Sequence, residues 1–331
     1  PAAPWLTSRL PGLTKMAGTL LLLTITSACS PESSTAKPES ITEQTSTGAP
    51  VQITVPAEYV GSENCAACHE PQWQSWKNSH HDLALQRASP DSVLADMDGT
   101  SELIALQQTD SSFTAKPGAN DPPLPVHYTF GVEPLQQYVV DTGSGRLQVL
   151  PIPWDTRNEA DGGQRWYELY PGDHPPGDPM HWTGRANNWN GMCADCHSTA
   201  VEKHYDPDTR SYQTVFAEED VGCEACHGPG SLHAAAAGRG ESVALPALRT
   251  QAETINVCAQ CHSRRSQLAE GFTPTSSYFD HYLPSLLRSG LYHPDGQILD
   301  EVYVYGSFLQ SRMHLAGVSC SDCHDPHAAQ I

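Results

Sequence analysis

The chain has 331 residues, 38 acidic against 18 basic side chains and a formal net charge of −20. That balance argues against nucleic acid as a partner and fits either basic partners or plain solubility. With 38% hydrophobic residues, 27 Pro and 25 Gly, the chain is short of long regular elements and of a thick aliphatic core.

Residues 16–28, "MAGTLLLLTITSA", form an apolar run with Arg9 and Lys15 upstream. The run is too short to span a bilayer, which needs about 20 residues, but it suits the apolar part of a signal peptide. Cys29 follows at once, and Thr26-Ser27-Ala28-Cys29 resembles a bacterial lipoprotein cleavage box, with Thr26 where an aliphatic residue is usual. Residues 1–29 are therefore expected to be a signal peptide of lipoprotein type, with Cys29 the lipidation candidate; an ordinary signal peptide with an incidental cysteine is the alternative. Residues 30–56, opening "SPESSTAKPESITEQTSTGAP", are too polar to bury a core and read as a disordered tether. Export to the periplasm or outer membrane of a Gram-negative bacterium follows, with membrane attachment through the lipid on Cys29.

Ten of the 11 cysteines fall into one pattern: Cys65-Ala-Ala-Cys68-His69, Cys193-Ala-Asp-Cys196-His197, Cys223-Glu-Ala-Cys226-His227, Cys258-Ala-Gln-Cys261-His262 and Cys320-Ser-Asp-Cys323-His324. Composition alone predicts roughly 0.02 copies per chain, and the pattern is the attachment signature of haem c. The two cysteines form thioethers with one porphyrin, and the histidine supplies the proximal iron ligand. Zinc would have to pair half-sites, would leave one pair over and would give no reason for a histidine after every pair. Disulfides leave the histidines unexplained too. Five haem c groups with their iron are therefore expected, and the porphyrins themselves form much of the interior.

The first haem module is placed at 57–99. After its motif, "PQWQSWKNSHHDLALQRA" (71–88) carries Trp73, Trp76, His80 and Leu83 at helical spacing. A helix there presses two indoles against the first haem. Residues 100–190 hold no motif and read as a small β-rich insertion: "VHYTFGV" alternates as a strand, "QYVVDTGSGRLQVL" turns as a hairpin at Gly143-Ser144-Gly145, and "RWYELY" is a further strand. Residues 191–331 form a four-haem module whose motif spacing is too irregular for a solenoid; "GQILDEVYVYGSF" is expected to include a strand. The predicted fold class is a multihaem cytochrome c, mostly short helices and loops packed around haems.

Of 16 histidines, five close the motifs. A second histidine on an iron saturates it for electron transfer, whereas an open position can bind substrate. The candidate distal ligands are His81, His233, His314 and His327, then His181 and His293. His81 lies on the Trp-bearing segment, His233 follows the turn in "CHGPGSLH", His327 closes "CHDPH" and His314 precedes the last motif.

These segments resemble a known group. "CAACHEPQWQSWKNSHH" is similar to the opening of the tetrahaem cytochromes that take electrons from hydroxylamine oxidoreductase in ammonia oxidisers. There a Trp stands seven residues after the haem histidine, as Trp76 does here, and a ligand histidine five further on, which is His81. A helical wheel instead puts His80 nearer the Trp face, so His80 stays as the alternate. "GCEACHGPGSLH" is similar to a segment of that group whose last histidine is a distal ligand, here His233. "HLAGVSCSDCHDPH" resembles pentahaem nitrite reductases and octahaem relatives. The resemblance spans roughly 57–331 and implies a fragment of a longer exported cytochrome that continues into further haem motifs and tetratricopeptide repeats. Two features depart from it: no Cys-x-x-Cys-Lys motif exists, and there are five motifs rather than four.

The expected function is electron transfer through five haems, mostly bis-histidine ligated, with other redox proteins as donor and acceptor. The competing expectation is a multihaem oxidoreductase acting on a nitrogen or sulfur oxyanion at one five-coordinate haem, with Arg185, Tyr167 or His174 lining the pocket. No general acid or base stands out, so no catalytic residue is assigned and a carrier is favoured over an enzyme. A non-catalytic assembly module is the third reading.

Overall fold

The computed structural model describes residues 56–95, 105–110, 112–117, 121–246, 248 and 250–330. The expected signal peptide, Cys29 and nearly all of the tether lie outside the described residues.

The strands are β1 (Gln86–Arg87), β2 (Ala105–Thr109), β3 (Ser112–Lys116), β4 (Leu124–Phe130), β5 (Leu135–Asp141), β6 (Leu147–Val149), β7 (Trp154–Asp155) and β8 (Arg165–Trp166), with β9 (Arg265–Gln267) and β10 (Tyr282–Pro284) further on. The first eight form one antiparallel sheet in the order β2-β3-β4-β5-β7-β8, with β1 on β4 and β6 on β5. β9 and β10 pair separately. The β5–β6 hairpin turns through residues 142–146, where Thr142 N and Arg146 O are hydrogen-bonded at 3.0 Å.

β5 is the sheet's centre: Tyr138, Val139 and Val140 are completely buried, so both faces are covered. Full burial of each aliphatic side chain contributes about 1.5–3 kcal/mol. One face packs Tyr138 and Val140 with Phe113, Val126, Leu150 and Trp154. The other packs Val139 with Tyr128, Phe130, Trp189 and Ala194. A register shift between Val126 and Tyr128 lets β4 contribute to both clusters, because one extra residue turns the following side chains over.

The helices are short: α1 (Glu63–Ala66), α2 (Glu70–Trp76), α3 (Trp189–Met192), α4 (Ala194–His197), α5 (Cys223–His227), α6 (Ser231–Gly238), α7 (Gln251–Ala259), α8 (Tyr278–His281), α9 (Tyr305–Leu309) and α10 (Arg312–Leu315). None of the described helices is long and apolar enough to cross a membrane.

Three expectations are corrected. The β-structure is larger than a small insertion: eight strands form one sheet that begins at Gln86, inside the segment given to the first haem module. The helix expected over 71–88 ends at Trp76, because Lys77 is extended and Asn78 takes a left-handed φ of 62°, which Asn tolerates better than most residues. His80 and His81 therefore lie beyond the helix, and the wheel argument for His80 loses its basis. "GQILDEVYVYGSF" forms no strand but an isolated Tyr292–Ile298 bridge, then a left-handed Tyr303 and α9.

Candidate functional site

In four motifs the histidine N–H bonds the carbonyl of the first cysteine: His69 to Cys65 at 2.9 Å, His197 to Cys193 at 3.2 Å, His262 to Cys258 at 2.9 Å and His324 to Cys320 at 3.0 Å. The remaining motif lies within α5. One helical turn thus sets both sulfurs and the imidazole around a common point. All ten described cysteines are unpaired. Among the described residues no group of three or more His, Cys, Asp or Glu is placed to hold a bare metal ion.

Three imidazole pairs face each other at nearly one separation: His69 and His233 at 6.1 Å, His81 and His262 at 6.3 Å, His227 and His327 at 6.3 Å between ring centres. Two metal–nitrogen bonds of about 2 Å each, with half a ring on either side, put ring centres about 6 Å apart. The spacing therefore fits an iron held between each pair. Ring orientation is set from outside. Nδ1 of His81 meets Pro326 O at 3.1 Å, Nδ1 of His233 meets Val243 O at 2.6 Å, and Nδ1 of His197 meets Ala84 O at 3.0 Å. A carbonyl only accepts, so each Nδ1 carries the proton and Nε2 keeps the lone pair for a metal. Burial pushes His81, His197, His227 and His262 below the usual imidazole range, towards the neutral, ligating form.

The other distal candidates sit elsewhere. His314 lies beside Phe308 with a buried Nδ1 that has no hydrogen-bond partner. His181 bonds Thr183 Oγ1 at 2.8 Å and stacks near Trp182. His293 lines an open surface cavity of about 420 Å³ with Asp295 and Gln297. Among the described residues no imidazole faces His197 or His324 at the paired separation; the ring against His197 is Phe130, at 5.1 Å. His80 is exposed.

Cysteines of different motifs lie close enough to act on one another's thiols: Cys65 and Cys223, Cys196 and Cys261, and Cys258 and Cys320. Cys226 is close enough to Cys258 to act on it electrostatically. The motifs therefore form one connected series in which the fourth meets the second, third and fifth. Burial pushes the Cys65 and Cys193 thiols up to about 12 and Cys226 to about 11. These sulfurs are neutral anchoring groups rather than reactive thiolates.

Local structure explains the placement. The second motif is hung on the sheet: Asn188 caps α3 by accepting from Gly191 N at 3.0 Å, while its Nδ2 donates to Leu147 O at 3.2 Å and to Gln148 Oε1 at 3.0 Å. The first and third motifs are clamped by two carboxylates. Glu224 accepts from Val60 N, Gly61 N and Gly230 N, and Glu218 accepts from the N–H and hydroxyl of Ser62. Trp76 Nε1 donates to Val221 O at 3.0 Å, so the buried indole ties α2 to the third motif.

Glu218, Glu224, Asp195 and Arg265 escaped the sequence reading; the sole signal is that Glu224 and Asp195 stand between the cysteines of their motifs. Tyr170 and Tyr303 were missed as well. Both phenols are pushed up, mainly by burial and by nearby Glu301, Tyr303 to about 12, and both lie within electrostatic reach of Cys193 and Arg264. Of the three residues expected around a pocket, Arg185 is exposed and Tyr167 half-buried. His174 lines a cavity of about 280 Å³ with Tyr170, His181 and Trp182, its Nε2 buried without a partner.

The chain matches the family model described as cytochrome c554 and c-prime over residues 64–113 and 181–228. No curated protein matches it. Among solved structures it is similar to the outer cell wall cytochrome OcwA, at 19% identity and a TM-score of 0.55, covering 82% of this chain and 57% of that one. An undecahaem cytochrome from the S-layer of Carboxydothermus ferrireducens gives 18% identity and a TM-score of 0.42, covering 84% of this chain and 41% of that one. The octahaem sulfite reductase MccA of Wolinella succinogenes gives 15% and 0.41, covering 83% and 45%. The chain thus spans little more than half the length of the first of these. Its fold is similar to that of the outer cell wall cytochrome OcwA.

Proposed function

We propose that the protein relays electrons between redox partners through five haem c groups held by its five motifs. The observation that carries this reading is the connected series of sulfurs. Each motif sulfur would carry the thioether to a vinyl-derived carbon of its haem, so neighbouring sulfurs would hold the haems of successive motifs near one another. When bound, each haem supplies an iron that cycles between ferric and ferrous states. The chain's own residues do the rest. His69 with His233, His262 with His81, and His227 with His327 are spaced so that each pair would hold one iron. The carbonyls of Pro326 and Val243 fix two of the distal rings. Glu218 and Glu224 keep the first and third motifs in contact. Export, with a lipid on Cys29 tethering the 57–331 region through residues 30–56, places the relay in the periplasm or at the outer membrane.

A second reading rests on one observation: no described imidazole faces His197 at the paired separation, while Tyr170 and Tyr303 lie within electrostatic reach of Cys193. In it, the second motif's iron is open and reduces a nitrogen or sulfur oxyanion, with Tyr170, Tyr303 and Arg264 beside it. Electron paramagnetic resonance on the oxidised, fully haem-loaded protein separates the two. Low-spin signals from every haem support the plain relay. A high-spin signal that disappears in a His197→Ala variant supports the open site. Fewer than five haems per chain by mass would defeat the five-haem relay.

A further inference from the structure

Among the described Lys and Arg side chains in ion pairs, Arg265 is the least exposed, at 8%. It lies on β9, three residues after His262, where β9 pairs with β10. Nε donates to Gln260 O at 2.5 Å, and Nη2 donates both to Asp195 Oδ2 at 2.5 Å and to Cys196 Sγ at 3.5 Å. The guanidinium also lies 3.8 Å from the ring centre of Tyr282, which is almost completely buried. Asp195 is fixed from its other side by Gln267 Nε2, at 3.2 Å from Oδ1, and its backbone carbonyl lies 4.0 Å from Cys261 Sγ. One charged pair is thus buried where the sulfurs of the second and fourth motifs meet.

We infer that Arg265 is a redox-tuning residue: its fixed charge, set against Asp195, raises the reduction potential of the two haems anchored at Cys196 and Cys261. This rests on the relay reading above. The physical argument is electrostatic. Adding one electron removes one positive charge from a ferric haem, so a neighbouring cation favours the reduced form and a neighbouring carboxylate the oxidised form. In the intact pair the two charges largely offset each other, with the cation closer to the Cys196 sulfur. With side chains only 8% and 19% exposed, the two charges are screened less than a surface pair would be. A guanidinium suits the place because its planar fork bonds Asp195 and Gln260 while stacking on Tyr282. A lysine ammonium reaches one of these at a time. Position 265 would thereby help decide where an electron rests in the series, which neither the haem motif nor the axial histidines specify.

The test is a spectroelectrochemical titration of the fully haem-loaded protein at pH 8. Arg265→Gln leaves the carboxylate uncompensated. It is expected to lower the midpoints of two haems by about tenfold in the reduction equilibrium, roughly 59 mV for one electron, with the other midpoints in place. Asp195→Asn removes the opposing charge and is expected to move the same two upward. Arg265→Lys keeps the charge but not the fork, and is expected to shift them less than the glutamine variant. Unchanged midpoints, or shifts of the same sign in the glutamine and asparagine variants, would overturn the inference and leave Arg265 a structural clamp. Should Arg265→Gln fail to load haem, Asp195→Asn decides alone, an upward shift supporting the inference and none overturning it. Peptide masses showing no haem on Cys196 or Cys261 in the unsubstituted protein would instead sink the relay reading, and the tuning role with it.

Discussion

Asp220 shows how a buried carboxyl sets the protein's response to pH. Its Oδ1 is buried without a hydrogen-bond partner. Burial above all, then Glu218 and Asp82, push its carboxyl from 3.8 up to about 7, against the pull of Lys77. Between those values the folded chain keeps a proton that the unfolded chain releases. The group's stability is fully present below about pH 4 and is lost as pH rises through 7. Asp220→Asn is therefore expected to flatten the decline in stability between pH 5 and 8. At pH 8 it should gain on the order of 1–2 kcal/mol, a figure already discounted for partial solvent access. Glu218, raised chiefly by burial, keeps a residual slope of the same sign. Guanidinium unfolding of the haem-loaded protein at the two pH values measures this, and parallel pH slopes would refute it. The same scale shows what a sequence can carry. The five Cys-x-x-Cys-His motifs stand out in the sequence because their spacing is the attachment signature itself. Glu218, Glu224, Asp195, Asp220 and Arg265 look like ordinary solvated charges, and only the packing of distant segments buries them.

At the scale of elements, the second motif depends on a loop clamped to a strand rather than on its own four-residue helix. Asn188 joins three partners there: the Gly191 N–H at the start of α3, and Leu147 O and Gln148 Oε1 on β6. Asn188→Ala loses a cap worth about 1 kcal/mol and leaves buried acceptors unsatisfied at about 1 kcal/mol or more. The expected loss of about 2 kcal/mol lowers Tm by roughly 4–8 °C in a chain of this size. The Soret and spin-state signals assigned to the second motif should broaden first. A melting temperature unchanged from the parent would show that Trp189 and Ala194 packing alone holds the motif. Turn chemistry made the β5–β6 hairpin readable, and alternation made β4 readable. The end of α2 was not, since a regular Trp73, Trp76, His80 periodicity continues past a left-handed Asn78. The extent of the sheet was also hidden, because β1, β7 and β8 are two-residue strands defined by their partners.

For the whole molecule, charge is the property on which partner choice turns. The chain carries −20 before any haem propionate is added, and acidic residues far outnumber basic ones outside the few buried pairs such as Arg265 with Asp195. A relay must meet its donor and acceptor many times and release them. Long-range attraction serves that better than a large apolar interface, because it speeds encounter without slowing departure. The partner predicted by this logic is a redox protein with a basic face. Its electron-exchange rate with the haem-loaded protein, followed by stopped flow, should fall several-fold between about 0.01 M and 0.15 M salt, as the screening length contracts from roughly 30 Å to 8 Å. With an acidic partner of similar potential the rate should instead start low and rise with salt. A rate indifferent to salt for both partners would locate recognition in exposed apolar side chains such as Phe279, Leu283, Leu286 and Leu315, which lie in sequence between the last two motifs, and would make the net charge a matter of solubility alone.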